Sequence, residues 1–505
     1  MTGNFASIPT LVRAHAKSRP DQAALIQDGQ TINYSQLDAM ADRVAAALQR
    51  DGVKPGDLIA ICAATSIDYV GIFLGALRAG AGVAPLPESF GPRSVAAMIA
   101  DARVSKVFLD RAMADALTEV AQPAVAPLLI DEEGPAGLKA WIAEAAAVPA
   151  AVDIQPDWLF NVIYSSGTTG NPKGIVQSHV FRWSNVQRAA RHGYGPTSVT
   201  LLSTPLYSNT TLATLVGALG MGGTTVLMGR FNTEDYLALA QRCGATHTML
   251  VPVQYQRLLA SESFDRTDLS SFEMKFSTGA PFPKELKEQV LQRWPGGLVE
   301  IYGMTEGGAT CVLEAHKFAN KLHTVGTPLP GHDLRVIDAA DCELAAGEPG
   351  EIVGHSPAIM TGYLNQPAKT RDAEWHDANG RRFIRTGDIG RIDSDGFVML
   401  LDRKKDLIIS GGFNIYPSDL EAVLRDHADV DEAAVFGVPS SRWGETPVAC
   451  VVLKACVMAD AAALTLWANE RLGKMQGISA VKIVASLPRN AAGKVLKREL
   501  RDAFV

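Results

Sequence analysis

Several protein classes are excluded by what the sequence lacks. Only six cysteines occur in 505 residues, at 62, 243, 311, 342, 450 and 456, and none forms a Cys-x-x-Cys pair. That removes a zinc ribbon and a disulfide framework and fits a reducing cytoplasm. Positive charge is in deficit, with 47 Lys and Arg against 54 Asp and Glu and a net charge of −7. A nucleic-acid binder or a polybasic membrane anchor would need the reverse. Residues 1–20 contain no apolar segment of the secretory kind. The apolar stretch Leu58 to Leu77 is broken by Asp68 and bounded by Arg78, so it reads as a buried strand and helix rather than a membrane span. What is left is the composition of an ordinary globular enzyme, 47% hydrophobic and 20% charged, in a chain long enough for more than one domain.

From Pro20 to about Val253 strands and helices alternate. The spacing predicts strands at 58–62, 83–86, 106–110, 200–202, 224–228 and 248–253, with helices at 69–78, 94–102, 212–219 and 233–243. Alternation of this kind predicts parallel sheets covered by helices on both faces. Residues 136–152 are Ala-rich and read as a surface helix and linker. From Leu334 to Ile409 short strands and turns predict a β-meander or barrel, with a hairpin turn at Asp393-Ser394-Asp395-Gly396. A small α+β unit follows. The expected fold class is therefore α/β: a large N-terminal domain (residues 1–404) of doubly wound sheets plus a distorted β-barrel, then a small α+β C-terminal domain (residues 405–505).

Residues 164–174 read Tyr-Ser-Ser-Gly-Thr-Thr-Gly-Asn-Pro-Lys-Gly, between two apolar runs that read as strands. Ser165, Ser166, Thr168 and Thr169 stand among Gly167, Gly170 and Gly174. Glycines let successive backbone N–H groups turn toward one anion, hydroxyls add donors, and Lys173 adds a compact positive charge. A polyphosphate is the predicted ligand; a flexible surface turn is the bland alternative. A Walker A loop has Gly, four residues, Gly, then Lys and Ser or Thr. Here two residues separate Gly170 from Lys173, and Gly174 follows the lysine. The kinase and GTPase readings lose their main support.

Four further segments carry chemistry. Tyr302-Gly303-Met304-Thr305-Glu306 follows an apolar strand. A strand ending in Tyr-Gly puts an aromatic face and a tight turn at the carboxyl edge of a sheet, where open α/β sheets bind ligands. Tyr302 suits stacking on a purine and Glu306 suits Mg²⁺, a hard cation; a packed Tyr and a solvated Glu fit the residues equally well. Asp388, on the turn Arg385-Thr386-Gly387-Asp388, suits both hydroxyls of a ribose. The glycines of Ser410-Gly411-Gly412 permit close backbone approach. Lys494 ends the loop Pro488-Arg489-Asn490-Ala491-Ala492-Gly493-Lys494 before a basic helix, and by itself is one of several lysines there.

Taken in order, these segments resemble the adenylate-forming superfamily of acyl-CoA synthetases, peptide-synthetase adenylation domains and luciferases, from about Pro20 to Lys494. Its Tyr-Gly-x-Thr-Glu signature is matched at every position. The resemblance implies that the loop with Ser165, Ser166, Gly167, Thr168, Thr169, Gly170 and Lys173 holds the ATP phosphates. It implies that Tyr302, with Gly303, packs on adenine, Thr305 contacts the α-phosphate and Glu306 holds Mg²⁺. Gly279, Ala280 and Pro281, after Thr278, resemble the segment lining the adenine and acyl sites. Asp388 and Arg403 would hold the ribose, Lys405 would be the hinge of a mobile C-terminal domain, and Lys494 would be the catalytic lysine of adenylation. Ser410, Gly411, Gly412 and Trp443 would lie beside coenzyme A, although a structural Trp is as good a reading of residue 443.

Three departures stand out. Ser208 occupies the place where a His is common, Asp402 replaces the usual Gly before the ribose arginine, and Met475-Gln476-Gly477-Ile478 replaces Tyr-Lys-x-Pro. Tyr207, Ser208, Val251, Ser277, Thr278 and Met304 are the candidate acid pocket, mostly apolar and modestly polar. That favours an aryl, arylpropenoic or medium-chain acid over a dicarboxylate, unless Arg182 points inward. The expectation is an ATP-dependent, Mg²⁺-requiring acid–CoA ligase of the cytoplasm, with a small carboxylic acid, ATP and CoA as partners and no nucleic acid or membrane span. A homodimer is compatible with it. A stand-alone enzyme loading a carrier protein and a non-catalytic nucleotide binder are the rival readings, with a luciferase-like oxygenation a remote third.

Overall fold

The structure, a computed structural model, describes residues 4–120, 125–134, 137–165, 173–410, 413–440, 443–472, 476–489 and 493–504. The chain divides into two compact units, Met1–Leu322 with Leu329–Asp333 and His355–Ile384, and His323–Pro328 with Leu334–Gly354 and Arg385–Val505. The boundary expected near Lys405 lies inside the second unit.

The predicted alternation produces two sheets in the first unit. In one, the parallel strands Gly297–Tyr302, Met274–Ser277, His247–Leu250, Val199–Leu202, Thr224–Leu227 and Ala23–Gln27 lie side by side in that order, flanked by antiparallel Cys311–Glu314 and Gln30–Asn33. Thr224–Leu227 and His247–Leu250 are buried at every residue, as strands covered on both faces must be. The other sheet has the order Gly362–Tyr363, Lys173–Ser178, Leu159–Ser165, Gly82–Pro85, Leu58–Cys62, Lys106–Leu109, Pro127–Leu129. Its central members are parallel, and Leu159–Ser165 and Lys173–Ser178 form an antiparallel pair.

The apolar stretch after Leu58 is the expected buried strand and helix. Helix Ile67–Arg78 starts at Ser66, whose Oγ accepts from the Tyr69 N–H at 3.1 Å. Every residue of it except Asp68 is buried, and it packs on helix Tyr34–Arg50. Gly75 makes the close approach tolerable: a Cβ there would stand 2.4 Å from the Val44 Cβ. Arg78, at the end of the helix, is buried with its Nη1 donating to Asp42 Oδ1 at 3.0 Å. Helix Tyr34–Arg50 has no counterpart among the sequence expectations, although its buried face carries Tyr34, Leu37, Val44 and Leu48 at helical spacing among three alanines. The helix expected within residues 136–152 is reduced to one turn, Leu138–Trp141.

In the second unit the chain turns to antiparallel strands. Arg382–Ile392 carries the chain into it and pairs with Val398–Arg403 across the expected turn, where the Asp393 N–H donates to Phe397 O at 2.9 Å and Gly396 has φ +82°. Farther on, Val430–Ser440 and Gly444–Leu453 form a long hairpin, with Ala480–Ile483 parallel to its second strand. Consecutive side chains of the hairpin face opposite ways. Val435 packs with Leu420 and Leu424 of helix Pro417–Arg425, whereas Phe436 packs with Leu487 and with Leu500 of the terminal helix Lys497–Phe504. Among the described residues, no helix is long and apolar enough to cross a membrane.

Candidate active site

Parallel pairing brings most of the candidates of the first unit to one edge. The strands ending at Leu202, Leu250, Ser277 and Tyr302 are neighbours and run the same way. The segments that leave them carry Tyr207 and Ser208, Val251, Thr278 to Pro281, and Gly303 to Glu306. Residues far apart in the chain are thereby set along the carboxyl ends of one sheet, the usual place for a ligand in such a fold. Tyr302 and Met304 are half-buried, and Gly279, Pro281 and Gly303 are exposed. Gly279 has φ +90°, and a Cβ there would lie 3.9 Å from Val251 Cγ1. Ser208 occupies the N-cap of helix Asn209–Met221 without a side-chain capping bond. The half-buried Tyr207 has its hydroxyl 3.4 Å from Ser89 Oγ. Ser277 is fully buried and, by strand alternation, faces away from the side that Phe276 faces.

Ser166, Gly167, Thr168, Thr169 and Gly170 lie outside the described residues, as do Gly411 and Gly412. The two ends of the first loop are described: Ser165 and Lys173 face each other across the antiparallel pair. The Lys173 ammonium lies over the Tyr363 ring, 5.1 Å from its centroid. The Tyr363 hydroxyl donates to Glu306 Oε1 at 2.9 Å, and the proton is held tightly, since burial and then the Glu306 charge push the phenol up. This lysine, phenol and carboxylate tie the loop base to the Tyr-Gly-Met-Thr-Glu turn. The turn is fixed again at Gly307, with φ +82°, where a Cβ would stand 1.9 Å from Ala358 O. Beside it the Met360 N–H donates to Glu306 O at 2.8 Å.

A polar network supports the same turn from beneath. Gln177 Nε2 donates to Thr305 O at 2.6 Å. Gln177 Oε1 accepts from Arg182 Nη2 at 2.6 Å and from Asn161 Nδ2 at 2.9 Å. Arg182 also donates to Asn161 Oδ1 at 2.8 Å and Asn209 Oδ1 at 2.9 Å. Arg182 does point inward, but these amide oxygens consume it. His179, next to it in the helix, packs edge-on against Phe160 at 5.0 Å, and burial lowers its pKa to about 4.

Sequence reasoning missed a recess below the sheet edge. It is a shallow, half-open hollow of about 290 Å³, counted out into solvent, between helices His179–Arg191 and Asn209–Met221 and the strands carrying Met249, Phe276 and Ile301. Asn185, Arg188, Ala189 and His192 line it. They recur at the spacing of one helical face, and that periodicity was the available signal.

In the second unit three expected residues come together. Arg403 Nε lies 2.6 Å from Asp388 Oδ1, the two residues being cross-strand partners. Asp388 is 8% exposed, and its N–H donates to Thr386 Oγ1 at 3.0 Å. Lys494 stands in the same electrostatic neighbourhood. Its pKa is lowered to about 8, first by burial and then by the charges of Arg403 and Lys405, against the opposing pull of Asp406 and Asp388. The loop that presents it is braced by Arg489, which donates to Gly493 O at 2.8 Å and to Glu432 Oε2 at 2.5 Å. Lys405 is exposed in a single 3-10 turn, Lys404–Asp406. Ser410 is buried and pairs with Gly444, so the exposed Trp443 and Ile409 flank this strand junction.

Among the described residues no group of three or more His, Cys, Asp or Glu is placed to hold a metal. Glu306 nonetheless fits Mg²⁺ in the mode such ions favour, one carboxylate with the remaining positions left to water and phosphate. Oε1 is oriented by Tyr363, and among the described residues no hydrogen bond is made to Oε2.

The AMP-binding enzyme family matches residues 12–364, and the AMP-binding enzyme C-terminal domain matches residues 419–494. The chain is 31% identical to a fatty acid–[acyl-carrier-protein] ligase, ScoC, of Streptomyces coeruleorubidus, covering 98% of this chain and 97% of the relative. It is 31% identical to a feruloyl-CoA synthase of an Amycolatopsis species, covering 97% of each. Its fold superposes on ATP-bound MatB from Rhodopseudomonas palustris with a TM-score of 0.89 and 30% identity, covering 99% of each chain.

Proposed function

This chain belongs to the AMP-binding enzyme family, among AMP-forming acid–thiol ligases, and from that premise we propose that it joins a carboxylic acid to coenzyme A with cleavage of ATP. In the first half-reaction a carboxylate oxygen attacks the α-phosphorus. A P–O bond to the acid forms, the bond to the β-phosphate breaks, and pyrophosphate leaves. In the second, the CoA sulfur attacks the acyl carbon, a C–S bond replaces the C–O bond to AMP, and the thiol proton passes to solvent.

The neighbourhood shared by Lys494, Asp388 and Arg403 carries this reading. Attack of a carboxylate on a phosphate brings two anions together, and a positioned ammonium offsets both their repulsion and the charge that develops. In the proposed assignment Asp388 and Arg403 hold the ribose, and Tyr302 with Gly279 to Pro281 holds the adenine. Thr305 and the loop containing Lys173 hold the phosphates. Mg²⁺ bound at Glu306 would supply charge neutralisation on the phosphates. Lys405 is the proposed hinge, and Ser410 and Trp443 the proposed margin of the CoA site. The free thiols of all six cysteines fit a reducing cytoplasm. The acid is proposed to be aryl, arylpropenoic or medium-chain, which the apolar residues at the sheet edge and the feruloyl and fatty-acid relatives support.

The test measures pyrophosphate release over a panel of such acids, and then thioester formation on adding CoA. Lys494→Ala is expected to abolish acyl-adenylate formation and to leave thioester formation from supplied acyl-adenylate largely intact. Equal loss in both half-reactions would refute the assignment. A second reading is carrier-protein loading, favoured by the exposed Ile409 and Trp443 beside Ser410 and by the ScoC relative. Acyl-adenylate that reacts with a phosphopantetheinylated carrier protein and not with free CoA would establish it.

A further inference from the structure

Arg188 lines the recess below the sheet edge. Among the described residues no hydrogen bond or ion pair reaches it. Its neighbour Arg182, six residues earlier in the same helix, is spent on amide oxygens. A guanidinium stays protonated across the working range, and a charge withdrawn from water is ordinarily paired. Arg188 is half-buried; burial disfavours its charge, and the neighbouring Tyr194 phenol, itself pushed up by burial, is neutral and does not offset it. Arg188 and Arg191 both disfavour protonation of His192, and Glu314, which favours it, is paired with Lys317 at 2.8 Å. The rest of the lining is apolar or neutral, chiefly Ala189, Met249, Phe276 and Ile301.

The recess is continuous in sequence with the candidate acid site. Met249 stands two positions before Val251 and so on the same side of the chain, and helix Asn209–Met221, which lines the recess at Ala213, Thr214 and Gly217, begins at Ser208. A substrate whose reacting carboxylate lies at the strand ends would direct its far end toward the recess.

Resting on the ligase reading, we propose that the acid substrate carries a second anionic group, a carboxylate, at its far end, and that Arg188 is the specificity residue that receives it. The body of the acid then lies against Met249, Phe276 and Ile301, and the guanidinium supplies the planar fork that a carboxylate matches. Among the aryl, arylpropenoic and medium-chain acids proposed above, those that end in a methyl or an unsubstituted ring leave Arg188 unpaired and rank below their carboxylated counterparts, which reverses the sequence expectation against a dicarboxylate.

Two matched pairs test this: hexanoate against hexanedioate, and cinnamate against 4-carboxycinnamate. Pyrophosphate release is measured for the wild type, Arg188→Met and Arg188→Gln, the second variant covering a folding failure of the first. The wild type is expected to favour the diacid in at least one pair by roughly tenfold or more in kcat/KM, as sites built for a polar group reject analogues that lack it. Both variants are expected to lose that preference through a fall in kcat/KM for the diacid, read as the diacid-to-monoacid ratio. Equal use of both members of each pair, or a preference that survives substitution, would overturn the proposal. Calorimetric titration of the same acids into nucleotide-free protein separates it from the reading beneath it. Diacid binding that needs Arg188, without pyrophosphate release from any acid, would keep the anion site and discard the ligase. Pyrophosphate release indifferent to Arg188 would keep the ligase and discard the anion site.

Discussion

The Tyr363 hydroxyl donates to Glu306 Oε1 at 2.9 Å, while the ring of the same tyrosine lies 5.1 Å from the Lys173 ammonium. One phenol thus orients the proposed Mg²⁺ carboxylate and contacts the cation at the base of the proposed phosphate loop. Tyr363→Phe keeps the ring and deletes the donor. A hydrogen bond to a charged group contributes about 1.5–3 kcal/mol, so adenylation kcat/KM is expected to fall about tenfold or more. The Mg²⁺ concentration needed for half-maximal pyrophosphate release is expected to rise. An unchanged Mg²⁺ requirement would detach Tyr363 from that role.

Lys494 gives a pH dependence with a definite sign. Its pKa is lowered to about 8, so its ammonium is lost as pH rises through that value. The adenylation kcat/KM, which reports the free enzyme, is expected to be level below pH 8 and to fall about tenfold per unit well above it. With triphosphate bound, the anion favours the ammonium, and the limb in kcat should move to higher pH. Lys494→Arg, always charged, should show no such limb. A limb that persists in Lys494→Arg would belong to another group.

Gly307 is held at φ +82° with Ala358 O where a Cβ would fall. Gly307→Ala must both strain its backbone and displace that carbonyl. A strained backbone residue of this kind costs of order 1–3 kcal/mol, and a lowered first calorimetric transition is the expected readout. The Met360–Glu306 backbone bond is beside it, so pyrophosphate release should fall as well. Gly279→Ala, with nothing nearer than 3.9 Å, should be milder in stability despite its own positive φ.

Arg182 and Arg188 should separate cleanly. Arg182→Met leaves the buried amides of Asn161 and Gln177 and the half-buried amide of Asn209 without their shared donor. Leaving a buried acceptor unpaired costs about 1–3 kcal/mol each, read as a large fall in thermal midpoint with every acid affected alike. Arg188→Met breaks no hydrogen bond among the described residues and should leave the midpoint unchanged or higher. A destabilised Arg188→Met beside an unperturbed Arg182→Met would reverse the two roles.

The sequence alone was enough for the class of fold and the family. Alternating strands and helices dictate parallel sheets because each strand must bury two faces. The Tyr302–Glu306 and Pro488–Lys494 segments are contiguous, so their residue types and spacing survive without coordinates. What lay beyond it were properties set by through-space neighbours. Asp402 and Ser208 are visible as departures, but nothing local says that Tyr363 would orient Glu306. Nor does anything local say that Arg489 would brace the loop before Lys494. The two arginines of one helix show the limit best. Arg182 and Arg188 differ little as letters, and the sequence reading considered only the first. Three amides from separate strands and helices converge on Arg182 and satisfy it, while Arg188 faces a recess formed by another helix and three strands. Which of the two guanidiniums is left over for a ligand is decided by packing, because a charge is defined by what surrounds it and those surroundings come from distant parts of the chain.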